Sequence, residues 1–149
     1  MKALTVSEPW ATLIMFAGKD VENRTWQLNY RGPLIIHAGK RMEPRDSSGW
    51  DSLAFHAARR FDPTCRAPDA YVLPEFGGLL ELVRPGYALG IVDVIGCDEA
   101  DGYSPWECPG QWHIRLANPR PFREPFQTTG QLGLFNIPDE QIPPVIERT

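Results

Sequence analysis

The sequence predicts a mainly β fold of the α+β class, namely a small, partly closed antiparallel barrel of about six short strands with flanking helices. The chain has 149 residues, about the length of one domain. Its 15 prolines and 13 glycines fit many short elements joined by tight turns. The strands do not alternate regularly with helices, as they would in a parallel α/β sheet.

The first predicted elements are a strand, a helix and a second strand. Residues 2–6 form the strand, Ser7 is a suitable N-cap for the helix, and Pro9 fits its first turn. The helix is predicted because apolar side chains recur at i, i+3, i+4 and i+7, at Trp10, Leu13, Ile14 and Ala17. Gly18 can end it, and residues 20–26 have the composition of a strand.

A second helix and four more strands complete the predicted order. Residues 50–61 carry apolar side chains at helical spacing, whereas residues 62–85 are interrupted by proline and glycine and are predicted to form a long loop. Residues 138–149 contain three prolines and are predicted to form a surface tail. The remaining strands are predicted at residues 34–38, 87–95, 111–116 and 132–137.

The charge balance limits the classes of nucleic-acid binder that the chain can belong to. Lys and Arg number 15 against 19 for Asp and Glu, which gives a net charge of −4 and excludes a uniformly basic domain that coats duplex DNA. Residues 1–60 nevertheless hold nine basic and six acidic side chains, so a local cationic cleft is compatible with this part of the chain.

Other classes are disfavoured by the absence of their motifs. No apolar run approaches the ~18 residues that cross a bilayer, and the first residues do not resemble a cleavable signal, so we expect a cytoplasmic protein without membrane association. The cysteines lack C-x-x-C spacing and the histidines lack metal-type spacing, so we expect no metal and no cofactor. Cys108 and His113 form at most a weak nucleophile pair, without a third orienting group.

The densest group of chemically useful side chains lies at residues 18–26. In a strand, Glu22, Arg24 and Trp26 share one face, and Lys19 directly follows the glycine that ends the helix. A guanidinium can bind a phosphate or carbonyl, an indole can stack on a base, and a carboxylate can accept base amino protons. The alternative is a surface Glu–Arg pair beside a half-buried Trp, and the residues alone leave both interpretations open.

Three further polar residues fall on or near predicted strands. Arg31 lies in the turn before residues 34–38, and His37 shares a strand face with Ile35. A lone histidine on a buried strand is more often a core residue than a functional one. Asp93 lies within an apolar strand and needs a partner, for which Arg24 or Arg31 are candidates.

Several blocks of the sequence, in order, resemble the ASCH domain family. The first is Ser-Glu-Pro-Trp-Ala at residues 7–11, followed by Gly-Lys-Asp-Val-Glu-Asn-Arg-Thr-Trp at 18–26 and Tyr-Arg-Gly-Pro-Leu-Ile-Ile-His-Ala-Gly at 30–39. The later blocks are at residues 89–94, 118–121 and 130–135. The resemblance implies an ASCH domain over residues 1–137 with a long inserted loop at about 41–85.

This resemblance implies a PUA-like β-barrel whose cleft lies beside the first helix. The family motif falls on Lys19, Glu22 and Arg24, while Trp10, Arg31 and His37 lie in neighbouring blocks and are further candidate binding residues. The implied function is binding of single-stranded RNA, or of a modified nucleotide or nucleoside, in a cationic cleft.

The resemblance also implies an enzymatic alternative. Some ASCH proteins hydrolyse the acetyl amide of acetylcytidine, and ribonuclease activity belongs to another member. In such a hydrolase Lys19 and Glu22 would be the catalytic residues of this chain. The hydrolase members use a lysine, a threonine and a glutamate, whereas here the third position after Lys19 is Glu22 rather than threonine.

Overall fold

The computed structural model describes residues 1–44 and 83–147, and it is mainly β. Along the chain its elements are β1 (Lys2–Glu8), α1 (Trp10–Phe16), β2 (Val21–Arg24), β3 (Gly32–Met42), β4 (Tyr87–Asp98), β5 (Trp112–Gln127), β6 (Leu134–Asn136) and a 3-10 turn (Asp139–Gln141). The six predicted strands are therefore confirmed. The predicted helix at 50–61 and nearly all of the loop at 62–85 lie outside the described residues.

The six strands form one sheet in the order β2-β5-β4-β3-β1-β6. Only the β1–β3 pair is parallel, and the other neighbours are antiparallel. β2 and β6, with four and three residues, are the two edges, and each pairs with a single neighbour. Within the part of the chain described, the sheet is thus not closed by strand pairing, and the predicted barrel is not confirmed.

The junction between β1 and α1 differs from the predicted one. Ser7 lies within β1, where its hydroxyl donates to Glu43 Oε1 at 2.9 Å, and does not cap the helix. The cap comes from Glu8, which is completely buried and whose Oε1 accepts the backbone N–H of Thr12 at 3.0 Å. The Thr12 hydroxyl donates to the other carboxylate oxygen of Glu8. The helix ends as predicted, since Gly18 follows its last turn with a φ of 76°.

β5 is the element that most exceeds its predicted length. The strand was predicted at residues 111–116, and an asparagine and prolines follow, yet β5 is 16 residues long and continues to Gln127. Asn118 adopts a positive φ of 53°, and the pairing with β4 shifts register three times along its length. Such irregularities accommodate residues that a regular ladder excludes.

Both faces of the sheet are covered by apolar side chains. One face packs against α1. The buried side chains of this cluster include Leu4, Ile36 and Val92 of the sheet and Ile14 of the helix. The opposite face holds a second cluster that includes Ile35, Phe122 and Phe135. The C-terminal residues 138–147 follow this second face, where Val145 bridges to Phe122 of β5. Among the described helices, none is long and apolar enough to cross a membrane.

Candidate functional site

Lys19 enters the interior directly after α1. The left-handed Gly18 turns the chain so that the Lys19 N–H bonds to the Leu13 carbonyl at 3.1 Å. Its side chain is only 3% exposed, and its ammonium donates to the Val21 carbonyl and lies 5.3 Å from the ring centroid of Trp10. Burial lowers the pKa of Lys19, and the nearby Glu22 carboxylate opposes that shift.

Glu22 places one carboxylate oxygen where the protein does not satisfy it. Its Oε1 accepts the Asn23 N–H at 3.0 Å and lies 3.9 Å from Lys19 Nζ. Its Oε2 lies 4.0 Å from Arg24 Nη2, too far for a hydrogen bond, and is buried without a hydrogen-bond partner among the described residues. A buried acceptor of this kind is costly unless a ligand or water completes it.

Arg24 joins β2 to β1. Its Nη2 donates to the Thr5 carbonyl at 2.7 Å, and its guanidinium lies 5.9 Å from the ring centroid of Trp26. The sequence leaves open whether Trp26 stacks on a ligand base or is a half-buried side chain beside the Glu–Arg pair. In the structure it contacts Arg24 and the apolar core beside α1, and it is not among the residues that line the cleft.

The loop at residues 104–111 forms the opposite side of the site. Asn23 fixes it with two hydrogen bonds, since its Nδ2 donates to the Trp106 carbonyl and its Oδ1 accepts the Cys108 N–H, both at 2.9 Å. The sequence analysis did not assign these loop residues to the site. Trp106 and Cys108 lie more than 80 positions from Asn23, and nothing local in the sequence indicates that pairing.

His113, at the start of β5, holds the same loop through a hydrogen bond to the Cys108 carbonyl. It is fully buried, and its Nδ1 and Nε2 lie 3.0 and 2.9 Å from the carbonyl oxygens of Ala100 and Cys108. Because carbonyl oxygens only accept, both of these hydrogen bonds form only when both ring nitrogens carry protons. Burial alone would lower the pKa of His113, but these bonds and the carboxylates of Glu107 and Asp101 outweigh it, and the pKa is raised.

The cluster of Asp101, Glu107 and His113 therefore does not fit a metal ion. Its ligand atoms lie within 4.8 Å of one another. A protonated imidazole has no lone pair to offer a metal, however, and Glu107 already accepts from Arg115 Nη1 at 2.7 Å. Arg115 also makes two bonds to Asp98, so the cluster anchors the loop to the sheet.

Together these groups enclose a cleft of about 750 Å³. Among the described residues, three basic and three acidic side chains line it, so this part of the lining does not show the predicted excess of positive charge. Two tryptophans, Trp10 and Trp106, contribute aromatic surface. The charged lining residues are Lys19, Arg24, Arg41, Glu22, Glu43 and Glu107.

The candidate binding residues fall into three places. Trp10, Lys19, Glu22 and Arg24 line the cleft together. Arg31 lies outside it, where its Nη1 donates to the carbonyls of Leu28 and Tyr30.

The arginine partner proposed for Asp93 was wrong, because Arg120 binds that carboxylate at 2.9 and 3.1 Å; this bonding holds the pKa of Asp93 below its usual range.

His37 lines a second pocket, of about 450 Å³. Its Nε2 bonds to the Thr128 carbonyl at 2.8 Å, and its Nδ1 lies 3.1 Å from the Thr5 hydroxyl. Thr5 lines this second pocket and the cleft alike.

The family model of the ASCH domain matches residues 4–126. The chain belongs to the ASCH domain family. The match covers β1 to nearly the end of β5, and it includes every residue of the cleft. No curated protein matches the chain at a significant level.

Proposed function

We propose that this ASCH domain binds one base of single-stranded RNA, or of a modified nucleoside, in the cleft. The observation that carries the proposal is Oε2 of Glu22, a buried acceptor beside the cleft that has no hydrogen-bond partner among the described residues. Desolvating a carboxylate oxygen without a partner is unfavourable, so a ligand that supplies an N–H there gains affinity and specificity.

The geometry favours a base with an exocyclic amino group. Glu accepts from the N4 amino group of cytosine, and adenine offers a comparable donor. Trp10 and Trp106 provide aromatic surface for a base, and Arg24 lies beside Glu22 where it can meet a carbonyl or phosphate. Where cytosine presents its N4 amino donor, uracil presents the O4 carbonyl, an acceptor that cannot pair with Oε2.

The test compares cytidine with uridine by NMR titration of the labelled protein. We expect cytidine to bind more tightly by about tenfold, the discrimination that one good base contact provides. Glu22→Gln removes the charge and turns half of the group into a donor, so this preference falls to near unity.

Glu124→Gln is the matched control, since Glu124 is exposed on β5 and does not line the cleft. It should retain the wild-type preference. Equal binding of cytidine and uridine by the wild-type protein, or an unchanged preference in Glu22→Gln, contradicts the proposed role of Glu22.

A second candidate function is hydrolysis of an acyl amide on cytidine, and the lowered pKa of Lys19 favours it. A neutral lysine can take a proton from water as the water adds to the acyl carbon. The C–N bond then breaks, and the cytidine amine leaves with a proton. Chromatography after incubation with acetylcytidine detects cytidine and acetate, and labelled RNA in parallel tests a ribonuclease. Absence of turnover by the wild-type protein removes this candidate.

A further inference from the structure

The second pocket and the cleft share one lining residue, Thr5. Thr5 faces His37 across the parallel β1–β3 pair. Side chains at paired positions of neighbouring strands stand on the same face of a sheet. A ligand that leaves the cleft past Thr5 therefore passes into the second pocket.

Hydrogen bonds hold Thr5, the residue that forms the boundary between the cleft and the second pocket, in place. The Thr128 carbonyl only accepts, so His37 Nε2 carries the proton of that bond, and in the neutral ring Nδ1 accepts from the Thr5 hydroxyl. This chain of bonds joins β1, β3 and the segment after β5. The second pocket is thus preformed and does not have to be assembled by a ligand.

Two glycines, Gly39 and Gly130, lie next to Thr5 and His37, where a larger residue would not fit. A Cβ at Gly130 would lie 2.5 Å from Thr5 Oγ1 and 2.8 Å from His37 Cε1, and one at Gly39 would lie 3.0 Å from Thr5 Cγ2. Both segments therefore pass close to Thr5 as bare backbone. No side chain from either position stands between the two pockets.

The charges around the boundary suit one phosphodiester. Lys40 is the charged side chain that lines the second pocket, and no carboxylate lines it among the described residues. On the cleft side, Arg24 donates to the carbonyl of Thr5 itself. Leu132, fully exposed at the second pocket, offers apolar surface to a sugar or base.

We infer that the second pocket holds the neighbouring nucleotide of the same strand, so that the ligand is an oligonucleotide of at least two nucleotides and not a free nucleoside. The inference rests on the proposed function of the cleft. It adds Lys40 and the segment 128–132 to the binding surface, with the connecting phosphate crossing at Thr5.

The test compares cytidine with the dinucleotide cytidylyl-cytidine. In the wild-type protein the dinucleotide should bind about tenfold more tightly, because linked groups engage adjoining sites at high effective concentration. It should also shift the amide resonances of Gly130 and Gln131, which cytidine leaves unchanged. Lys40→Glu should abolish most of that gain in affinity. It should also make the slope of log K against log salt for the dinucleotide shallower by about 0.7. The affinity for cytidine should not change.

Arg123→Glu is the matched control, an exposed charge reversal on β5 outside both pockets. If cytidine binds but the dinucleotide binds no more tightly, or if Lys40→Glu acts no differently from Arg123→Glu, the second pocket is not a nucleotide site and the proposed function of the cleft stands. If neither ligand binds, the proposed function itself fails.

Discussion

The carboxyl group of Glu8 lies in the protein interior at the N-terminus of α1. It is completely buried and accepts two hydrogen bonds from Thr12. Burial raises its pKa to about 7, although the bonds from the Thr12 side chain and backbone oppose the shift. The folded protein therefore keeps a proton on Glu8 over a pH range in which the unfolded chain has lost it.

This difference predicts that Glu8 makes the fold less stable as pH rises. Its contribution is full below about pH 4.5, declines as pH increases, and levels off above about pH 7. The decline is on the order of 3 kcal/mol. Glu8→Gln keeps a neutral hydrogen-bonding group at this site, so its stability relative to wild type should increase from pH 5 to pH 8.

Urea denaturation at several pH values measures the effect, with Glu124→Gln as the exposed counterpart. Parallel pH profiles for wild type and Glu8→Gln would show that the buried carboxyl does not hold its proton.

Among single residues, sequence reasoning succeeded where the relevant contacts are local. Lys19, Glu22 and Arg24 lie within six positions, and strand alternation was sufficient to place Glu22 and Arg24 side by side. It did not place Arg31, because that guanidinium binds the carbonyls of its own turn. It missed Glu8 as the helix cap because the carboxylate reaches forward past Pro9, whereas the usual N-cap is a neighbouring Ser, Thr, Asp or Asn.

At the scale of elements, Gly90 of β4 leaves less room for an added Cβ than any other glycine in the described strands. A Cβ there would contact the Met15 side chain of α1 and lie 2.5 Å from the Arg120 carbonyl and 2.7 Å from Pro121 Cα. The last two atoms belong to the backbone of β5, which cannot move aside without breaking its pairing with β4. The helix, β4 and β5 thus meet at a position that only glycine fits.

Gly90→Ala should therefore destabilise the fold, by about 3 kcal/mol or more, because overpacking here displaces main chain. Gly96→Ala on the same strand is the control, since the nearest atom to its added Cβ is 3.8 Å away. Its stability should remain within about 0.5 kcal/mol of wild type. Thermal denaturation compares the two, and equal melting temperatures would show that the strands adjust to the added methyl group.

Strand lengths were less predictable than strand positions. Each predicted strand exists, but β1, β3, β4 and β5 extend beyond their apolar runs. The prolines of β5 argue against a strand by propensity, and its pairing with β4 on one side and with β2 and the C-terminal segment on the other sustains it. Pairing between distant segments is a tertiary contact that a local pattern does not contain.

At the scale of the whole molecule, charge should limit how the protein holds its ligand. The net charge is −4, and the described residues that line the cleft include equal numbers of basic and acidic groups. Few phosphates can then be neutralised, so the slope of log K against log salt for a short single strand should lie between about −0.7 and −1.5.

Fluorescence anisotropy over a range of salt concentrations measures this slope. A slope steeper than about −3 would mean contact with four or more phosphates and a different binding surface.

The position of β2 at the edge of the sheet matters for aggregation as well as for the candidate site. This strand carries Glu22 and Arg24, and it is also an edge of the described sheet, where backbone groups without a strand partner can recruit a strand from another copy of the chain. Its short length, its two charged residues and the loop fixed by Asn23 all oppose such pairing. Replacing its charged side chains with apolar ones would therefore remove the proposed ligand contacts and expose the protein to aggregation at the same time.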